Sequence, residues 1–356
     1  MSEFPSVLDL ASVDIAVVVV NYRTADLALS CLRAVAFERL ALPRLRAIIV
    51  DGGSADGSVE RLAHALEDPE FASWTSLLAL PVNGGFGWAN NQAMLLLLNG
   101  ERPPEYIHLL NPDAILEPGA MLALVRCLHT HASAAAAGSQ LLDPDGSLSG
   151  SAFSFPTLRR EFARGARTGL IERLLALRRD AEALQEVGEV DWVTGASVLL
   201  RASALREVGL FDDGFFLYHE EVELMWRLRR AGWTIMHEPR SRVGHIGGAA
   251  TGVREGSTNV KIMPRRPAYW YQSRRRFFAR SLGQPAASGA LALWLAGHLF
   301  FRLSRPFRRG AAKTLLAHEL RDQWKHARRH RSDGVAAVTP ATASPGPLPS
   351  WMEYAE

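Results

Sequence analysis

The sequence predicts an α/β protein with a mixed, mainly parallel sheet flanked by helices. Three observations carry that expectation. Short β-branched runs alternate with helical stretches through the first 130 residues. A polar or Gly-rich turn follows each run. Acidic and amide residues gather in those turns, where a parallel sheet has its strand C-termini and its ligands.

The elements follow in order. Ile15–Val20 and Ala47–Val50 read as buried parallel strands, each leading into a helix: Thr24 can cap 25–38 and Asp56 can cap 57–67. Ser76–Leu80 is a third strand, passing through a glycine turn into an apolar helix around Asn90–Leu98. Tyr106–Leu110 is a fourth, ending at Asn111-Pro112-Asp113, and 118–130 has helical character. Residues 139–160 are turn-rich, and 161–187 form an Arg-rich amphipathic helical stretch. Strand character returns over Val190–Arg201, a helix is expected over 219–231, and short strands over 233–238 and 241–245.

Composition bounds the function. The chain has 356 residues, 48% hydrophobic and 22% charged, enough to bury a large core. Its two cysteines, Cys31 and Cys127, cannot build a disulfide framework or a four-thiolate zinc site, which suits a reducing compartment. The N-terminal M-S-E-F-P-S-V-L-D-L has no basic region and no long apolar run, so no secretory leader is expected. A secreted knottin, a polytopic membrane protein and a disordered chain are excluded. The net charge of +3 averages two unlike parts: 23 Lys/Arg against 32 Asp/Glu in residues 1–260, and 17 against 2 in 261–332. The expected domains are an arm (1–13), a catalytic body (14–260), a basic helical region (261–332) and a tail without packing residues (333–356).

Four clusters could carry chemistry. Asp51-Gly52-Gly53-Ser54 follows the second strand; Asp51 can accept from a nucleobase N–H, or can simply shape a turn. Asn83-Gly84-Gly85-Phe86-Gly87 opens a helix, suiting a diphosphate, without P-loop or dinucleotide spacing. Asn111-Pro112-Asp113 offers one carboxylate at a strand end, enough to hold a divalent cation when a diphosphate supplies other ligands, or an ordinary turn. Tyr218-His219-Glu220-Glu221-Val222-Glu223 places carboxylates at a helix start, which favours the helix dipole. Glu220 and Glu221 point about 100° apart, so one can act as general base while the other holds the loop. His245 follows a strand; it reads as structural or as an extra metal ligand beside Asp113.

In order, these segments resemble the family 2 glycosyltransferases of GT-A fold, most closely the bacterial rhamnosyltransferases that use dTDP-L-rhamnose. The resemblance runs through V-V-V-V-N-Y-R (17–23), I-V-D-G-G-S-A-D-G-S (49–58), N-G-G-F-G-W-A-N-N (83–91) and L-L-N-P-D-A (109–114). It continues through L-L-D-P-D-G (141–146), V-T-G-A-S-V-L-L-R (193–201) and the block from Gly209 to Trp233, then the His245 segment. It implies an inverting, metal-dependent transfer of a sugar to a hydroxyl of a cell-surface glycan or lipid-linked acceptor. Asn21, Asp51, Asn83, Gly84, Asn90, Asn91 and Asn111 would line the nucleotide-sugar site, with a dTDP-sugar favoured and UDP- or GDP-sugars as alternatives. Asp113 and His245 would hold Mg2+ or Mn2+. Glu221 would be the catalytic base; Trp192, Thr194, Gly195, Tyr218 and Glu220 would line the acceptor pocket. Two departures stand out: Asp51-Gly52-Gly53-Ser54 replaces the usual Asp-Asn-Gly-Ser, and Glu221 stands where Asp is usual. A sugar nucleotidyltransferase would carry a basic Gly-rich loop after strand one, which N-Y-R-T-A-D lacks. A nucleotide-sugar-binding protein without catalysis is a further alternative.

The basic region has its own logic. Ala286–Phe301 would be about 24 Å long as a helix, short of a ~30 Å hydrocarbon core. Arg274, Arg275, Arg276 and Arg280 precede it; Arg302, Arg305, Arg308 and Arg309 follow. Charges at both ends predict a helix lying in an anionic membrane surface with Trp294 and Phe300 buried in lipid, and place the enzyme in the cytoplasm, peripheral on the inner face of the plasma membrane. A helix packed on the body and a spanning helix are the alternatives. No nucleic-acid-binding module accompanies the basic stretch, so nucleic acid is not an expected partner.

Overall fold

The β-branched runs form strands because each is covered on both faces. A computed structural model describes residues 9–175, 177, 186–248, 265–307, 318–328, 337–346, 348–349 and 352. In β1 (Ile15–Asn21), Val17 and Val19 face one core layer while Ala16 and Val18 face the other. The helices α1 (Ala25–Glu38), α2 (Ser58–Leu66) and α4 (Ala120–Thr130) cover the first face; α3 (Phe86–Asn99), α7 (Ala202–Val208) and α8 (Glu220–Arg230) cover the second.

The remaining strands are β2 (Arg46–Asp51), β3 (Thr75–Ala79), β4 (Tyr106–Leu110), β5 (Ala114–Leu116), β6 (Ala134–Leu142), β8 (Gly188–Val190), β10 (Ser197–Arg201) and β11 (Thr234–His245). They order as β3-β2-β1-β4-β10-β6-β11-β5, with β8 also on β11. β7 (Ala152–Phe153) and β9 (Trp192–Val193) form a separate short ribbon. β1, β2, β3 and β4 run parallel, and the order reverses between β1 and β4, so a ligand crevice opens beyond Asn21 and Leu110. β10 inserts antiparallel between β4 and β6. Buried hydroxyls tie that insertion: Ser139 Oγ lies 2.7 Å from Ser197 Oγ and 2.8 Å from Ser241 Oγ.

Several expectations change. Thr24 does not cap α1; its hydroxyl donates instead to Asn21 Oδ1 at 3.0 Å. Asp56 does meet the start of α2, accepting from the Ser58 amide at 3.1 Å. β6 begins well before residue 139 in the alanine run, and its end occupies the stretch expected to be turns. Burial on both sides, between β10 and β11, makes small alanines suitable strand residues there. The pair of strands expected over 233–245 is one strand with an irregularity between Glu238 and Arg242.

The C-terminal helices α9 (Ala268–Leu282), α10 (Gln284–Ser304) and α11 (Glu319–His326) are docked on the body, as in the packed-helix alternative that the sequence left open. α10 has the length and apolar character to cross a membrane, yet it crosses α5 (Leu158–Ala166) at a glycine–glycine contact. A Cβ at Gly297 would lie 2.1 Å from the Phe162 carbonyl oxygen, and one at Gly165 would lie 2.3 Å from that of Trp294. Trp294 is fully buried and stacks on His298, so it is not available to lipid. The arginines before α10 also face inward. Arg276 pairs with Asp212, Arg280 approaches the same carboxylate, Arg274 pairs with Glu161, and Arg275 donates to Gln284. Arg308 and Arg309 lie outside the described residues.

The tail is corrected as well. Residues 337–346 pack on the body, with Ala341 4% exposed and Val338 bridging Asp212. Residues 333–336 and 353–356 lie outside the described residues.

Candidate active site

The crevice beyond β1, β2 and β4 is built first from turns. Asn21 Nδ2 donates to Asp51 Oδ2 at 2.8 Å, and the two carboxylate oxygens of Asp51 accept from the Ser54 amide (2.9 Å) and hydroxyl (2.7 Å). Asn21 and Asp51 are both fully buried. Their side chains therefore shape the 52–54 loop, at the edge where the sequence places the nucleobase. Gly53, at φ +72°, lies against the next segment: a Cβ there would come within 2.8 Å of the Val82 carbonyl carbon. The loops after β2 and β3 thus meet, as a nucleotide site at this edge requires.

The Asn83 segment differs from expectation. Asn83 Oδ1 accepts from the Gly85 amide at 3.1 Å, and Gly84 lies under the Trp88 indole. Gly85 is at φ +89°, and a Cβ there would sit 1.9 Å from the Phe216 carbonyl oxygen, so only glycine fits. That oxygen accepts from the Phe86 amide at 3.1 Å, which fills part of the α3 N-terminus where a diphosphate was expected. Asn90 is buried and donates to the Phe86 carbonyl at 2.9 Å. Asn91 is fully buried and committed to protein: its amide donates to the Phe211 carbonyl (2.9 Å) and Thr339 Oγ1 (3.0 Å), and its oxygen accepts from the Phe211 amide (3.0 Å). Asn91 thus pins the 210–213 segment to α3.

At the end of β4 the strand ends converge as needed for a cation. His245 lies directly opposite Ala114 in the β11–β5 pairing, so it sits beside Asp113. His245 Nε2 is 3.3 Å from Asp113 Oδ1 and 3.3 Å from Asn111 Nδ2. Asn111 in turn donates its amide to the Ala196 carbonyl at 2.9 Å, joining this corner to the turn before β10.

The residues that the sequence assigns to the acceptor pocket lie across that turn. A Cβ on Gly195 would meet the Phe86 ring at 3.3 Å and Glu221 Cβ at 3.8 Å. Thr194 donates its amide to the Ser151 carbonyl, and Trp192 stacks on Phe153 with centroids 4.4 Å apart. Tyr218 (φ +70°) and His219 (φ +67°) are successive left-handed residues without the freedom of glycine, each costing about 1–3 kcal/mol. Their surroundings hold them. Ser273 Oγ donates to the Leu217 carbonyl at 2.9 Å, Tyr218 stacks on Tyr269, and the His219 ring lies between Trp270 and Phe277. Burial pushes His219 down to about 3, helped by Arg164 and Arg266, so it stays neutral. The turn delivers Glu220 and Glu221 at the first positions of α8. Burial first, and then the charge of Glu221, raise Glu220 well above the usual carboxylate range. Glu220 accordingly keeps a proton to higher pH than an exposed glutamate.

Tyr269 was not anticipated; only the aromatic run A-Y-W-Y at 268–271 could have signalled it. An open depression of about 310 Å3 lies elsewhere, between the starts of α1 and α2, and contains none of these residues. Its Arg61 is already paired with Asp26 at 2.7 Å.

A parallel half-sheet, an antiparallel insertion and acidic residues at the crevice define a GT-A fold. A solved structure described as GalNAc-T7 with UDP, GalNAc and Mn2+ shares that fold at a TM-score of 0.53 and 14% identity, over 88% of this chain and 55% of that one. The description of glycosyltransferase-like family 2 matches residues 12–279, and the chain belongs to that family. Its relatives include the N-acetylglucosaminyl-diphospho-decaprenol L-rhamnosyltransferase of Mycobacterium tuberculosis, 28% identical over 63% of this chain and 76% of that protein. Another is the rhamnosyltransferase WbbL of Escherichia coli K12, 29% identical over 45% of this chain and 60% of that one. The protein is a glycosyltransferase with rhamnosyltransferases among its homologues.

Proposed function

We propose that the chain transfers L-rhamnose from dTDP-L-rhamnose, with inversion, to a hydroxyl of a lipid-linked saccharide. The observation that carries the reading is the 194–196 turn, which has Asn111 and its neighbours Asp113 and His245 on one side and Glu221 on the other. The two rhamnosyltransferase relatives, one named for a decaprenol-linked substrate, support the donor sugar and the acceptor class.

In this reading Glu221 takes the proton of the acceptor hydroxyl, whose oxygen attacks the anomeric carbon as the bond to the diphosphate breaks. Displacement from the opposite side inverts that carbon. Burial and the neighbouring Glu221 charge hold Glu220 toward its protonated form, which lessens the repulsion within the adjacent pair. Mg2+ or Mn2+ would be held by Asp113 and His245; one carboxylate and one imidazole in reach of each other fit a site completed by phosphate oxygens and water. Bound there, the ion would supply Lewis-acid stabilisation of the leaving diphosphate.

The enzyme would meet its acceptor as a peripheral protein on the inner face of the plasma membrane. The surface that supports this is narrower than the basic region as a whole. Leu299 (57% exposed), Leu303 (68%) and Phe307 (90%) form one outward stripe at helical spacing, with Arg302 and Arg305 exposed beside it.

The test is a thermal-shift series with dTDP-, UDP- and GDP-sugars in Mg2+ or Mn2+, followed by transfer to a lipid-linked saccharide by wild type and Glu221→Gln. The reading expects stabilisation by the dTDP-sugar, transfer by wild type, and loss of transfer with retained nucleotide binding in E221Q. Near-wild-type transfer by E221Q removes the base assignment. Nucleotide binding without transfer by wild type makes the chain a binding protein.

A further inference from the structure

The C-terminal segment 337–346 lies against the route to the acidic pair. Leu210 donates its amide to the Thr339 carbonyl at 2.8 Å, Thr339 donates to the Phe211 carbonyl at 3.3 Å, and Asp213 donates to the Ala337 carbonyl at 3.0 Å. These bonds add a short strand-like edge to residues 210–213, on which Val338 also packs: a Cβ at Gly209 would lie 2.8 Å from Val338 Cγ1. The same segment is anchored to α3. Asn91 joins Phe211 and Thr339, Asn99 Nδ2 donates to the Ala341 carbonyl at 3.0 Å, and the Gly346 amide donates to Gln92 Oε1 at 2.9 Å.

Residues 210–216 are thus clamped between the start of α3 and the C-terminal segment. Seven residues after Phe211 the backbone enters the left-handed pair Tyr218–His219 and then presents Glu220 and Glu221. A strained turn persists only where its surroundings over-determine it, and a small displacement of a reacting group is costly in rate.

We propose that residues 337–341 are a positioning element of the active site, in which Thr339, joined to Asn91, holds the 210–216 segment so that the strained turn presents Glu220 and Glu221 to the acceptor. This rests on the reading of Glu221 as base. The C-terminal segment is then a structural participant in transfer, and Asn91 serves the reaction from the acceptor side.

The test uses the full-length chain. Ala341→Trp forces bulk into a site that is 4% exposed and lifts the segment; Thr339→Ala removes one anchor, and Thr339→Ser keeps it. Two readouts are taken: hydrogen exchange of the amides of 210–221, and kcat and donor KM separately. The proposal expects faster exchange in A341W reaching residues 218–221, with kcat down about tenfold or more and donor KM within about twofold. T339A should move both readouts in the same direction by less, and T339S should restore them. If T339A or a folded A341W speeds exchange at 210–213 while 218–221 and kcat stay as in wild type, the segment is only a structural tie and the proposal falls. Failure of the base reading is seen separately, as transfer by E221Q; exchange at 218–221 then decides the positioning claim alone.

Discussion

Removing the carboxylate of Asp212 probes how the C-terminal helices are held. Asp212 is fully buried and Arg276 4% exposed, so solvent screens neither. Arg276 Nη2 donates to Oδ1 at 2.7 Å and to Oδ2 at 3.0 Å, its Nε donates to Oδ2 at 3.2 Å, and Arg280 Nε lies 3.2 Å from Oδ2. Asp212→Ala strips one or two buried guanidinium groups of their counter-charge, a loss of about 3–5 kcal/mol. The Gly214 amide loses its acceptor too, adding about 1 kcal/mol. For a chain of 356 residues each kcal/mol lowers the melting temperature by roughly 1.3 °C, so the combined loss of about 4–6 kcal/mol predicts a fall of about 5–8 °C. Urea unfolding of D212A, Asp212→Asn, Arg276→Met and the D212A/R276M double variant provides the cycle. D212N keeps the acceptor for Gly214 and isolates the charge; the double variant should regain part of the loss, since Arg276 is then gone and only the more exposed Arg280 lacks its counter-charge. A loss below about 1 kcal/mol in D212A, or no recovery in the double variant, refutes the internal ion pair.

Three further outcomes can be measured. Folding raises the pKa of Glu220, so its contribution to stability is full below the unfolded glutamate value and is lost as pH rises through the folded one. Glu220→Gln does not titrate and should melt higher than wild type above the ordinary carboxylate range; parallel pH profiles of melting would contradict this. Gly297→Val drives a side chain into the Phe162 carbonyl and should cost about 1–3 kcal/mol or more, whereas unchanged stability would mean that α10 is not seated on α5. Leu303→Glu with Phe307→Glu should abolish flotation with anionic vesicles and leave the melting temperature unchanged; retained flotation would remove this stripe as the contact.

How much was legible follows from what each signal measures. Tyr106–Leu110 and the helix from Glu220 are readable because a short apolar run ending at a Pro turn, and an amphipathic stretch with acidic residues first and arginines last, report local preference directly. β6 was hidden because its alanines carry no strand propensity and become a strand only between two neighbours. The meeting of Asp113 and His245, 132 residues apart, was legible only through the ordered motifs. Asp51 and Asn91 show what residue type and position leave out: Asp51 also meets Asn21 and its own turn at Ser54, and Asn91 reaches Phe211 and Thr339 far along the chain. A charge tally could not reveal that Arg274, Arg276 and Arg280 answer Glu161 and Asp212, since pairing is a property of the fold.

Those buried pairs bear on how the protein can be cut. A fragment ending at residue 260, where the sequence changes character, would leave the Asp212 and Glu161 carboxylates in the interior without their α9 cations, and would uncover Phe215 and Trp226 where α9 had lain against them. Such a fragment should be insoluble or should swell open at neutral pH. Any smaller working enzyme has to retain α9, and deletion mapping of activity from the C-terminus should find one boundary at residues 337–346, which tie down the 210–213 segment, and a second in the helices, far short of the acidic body.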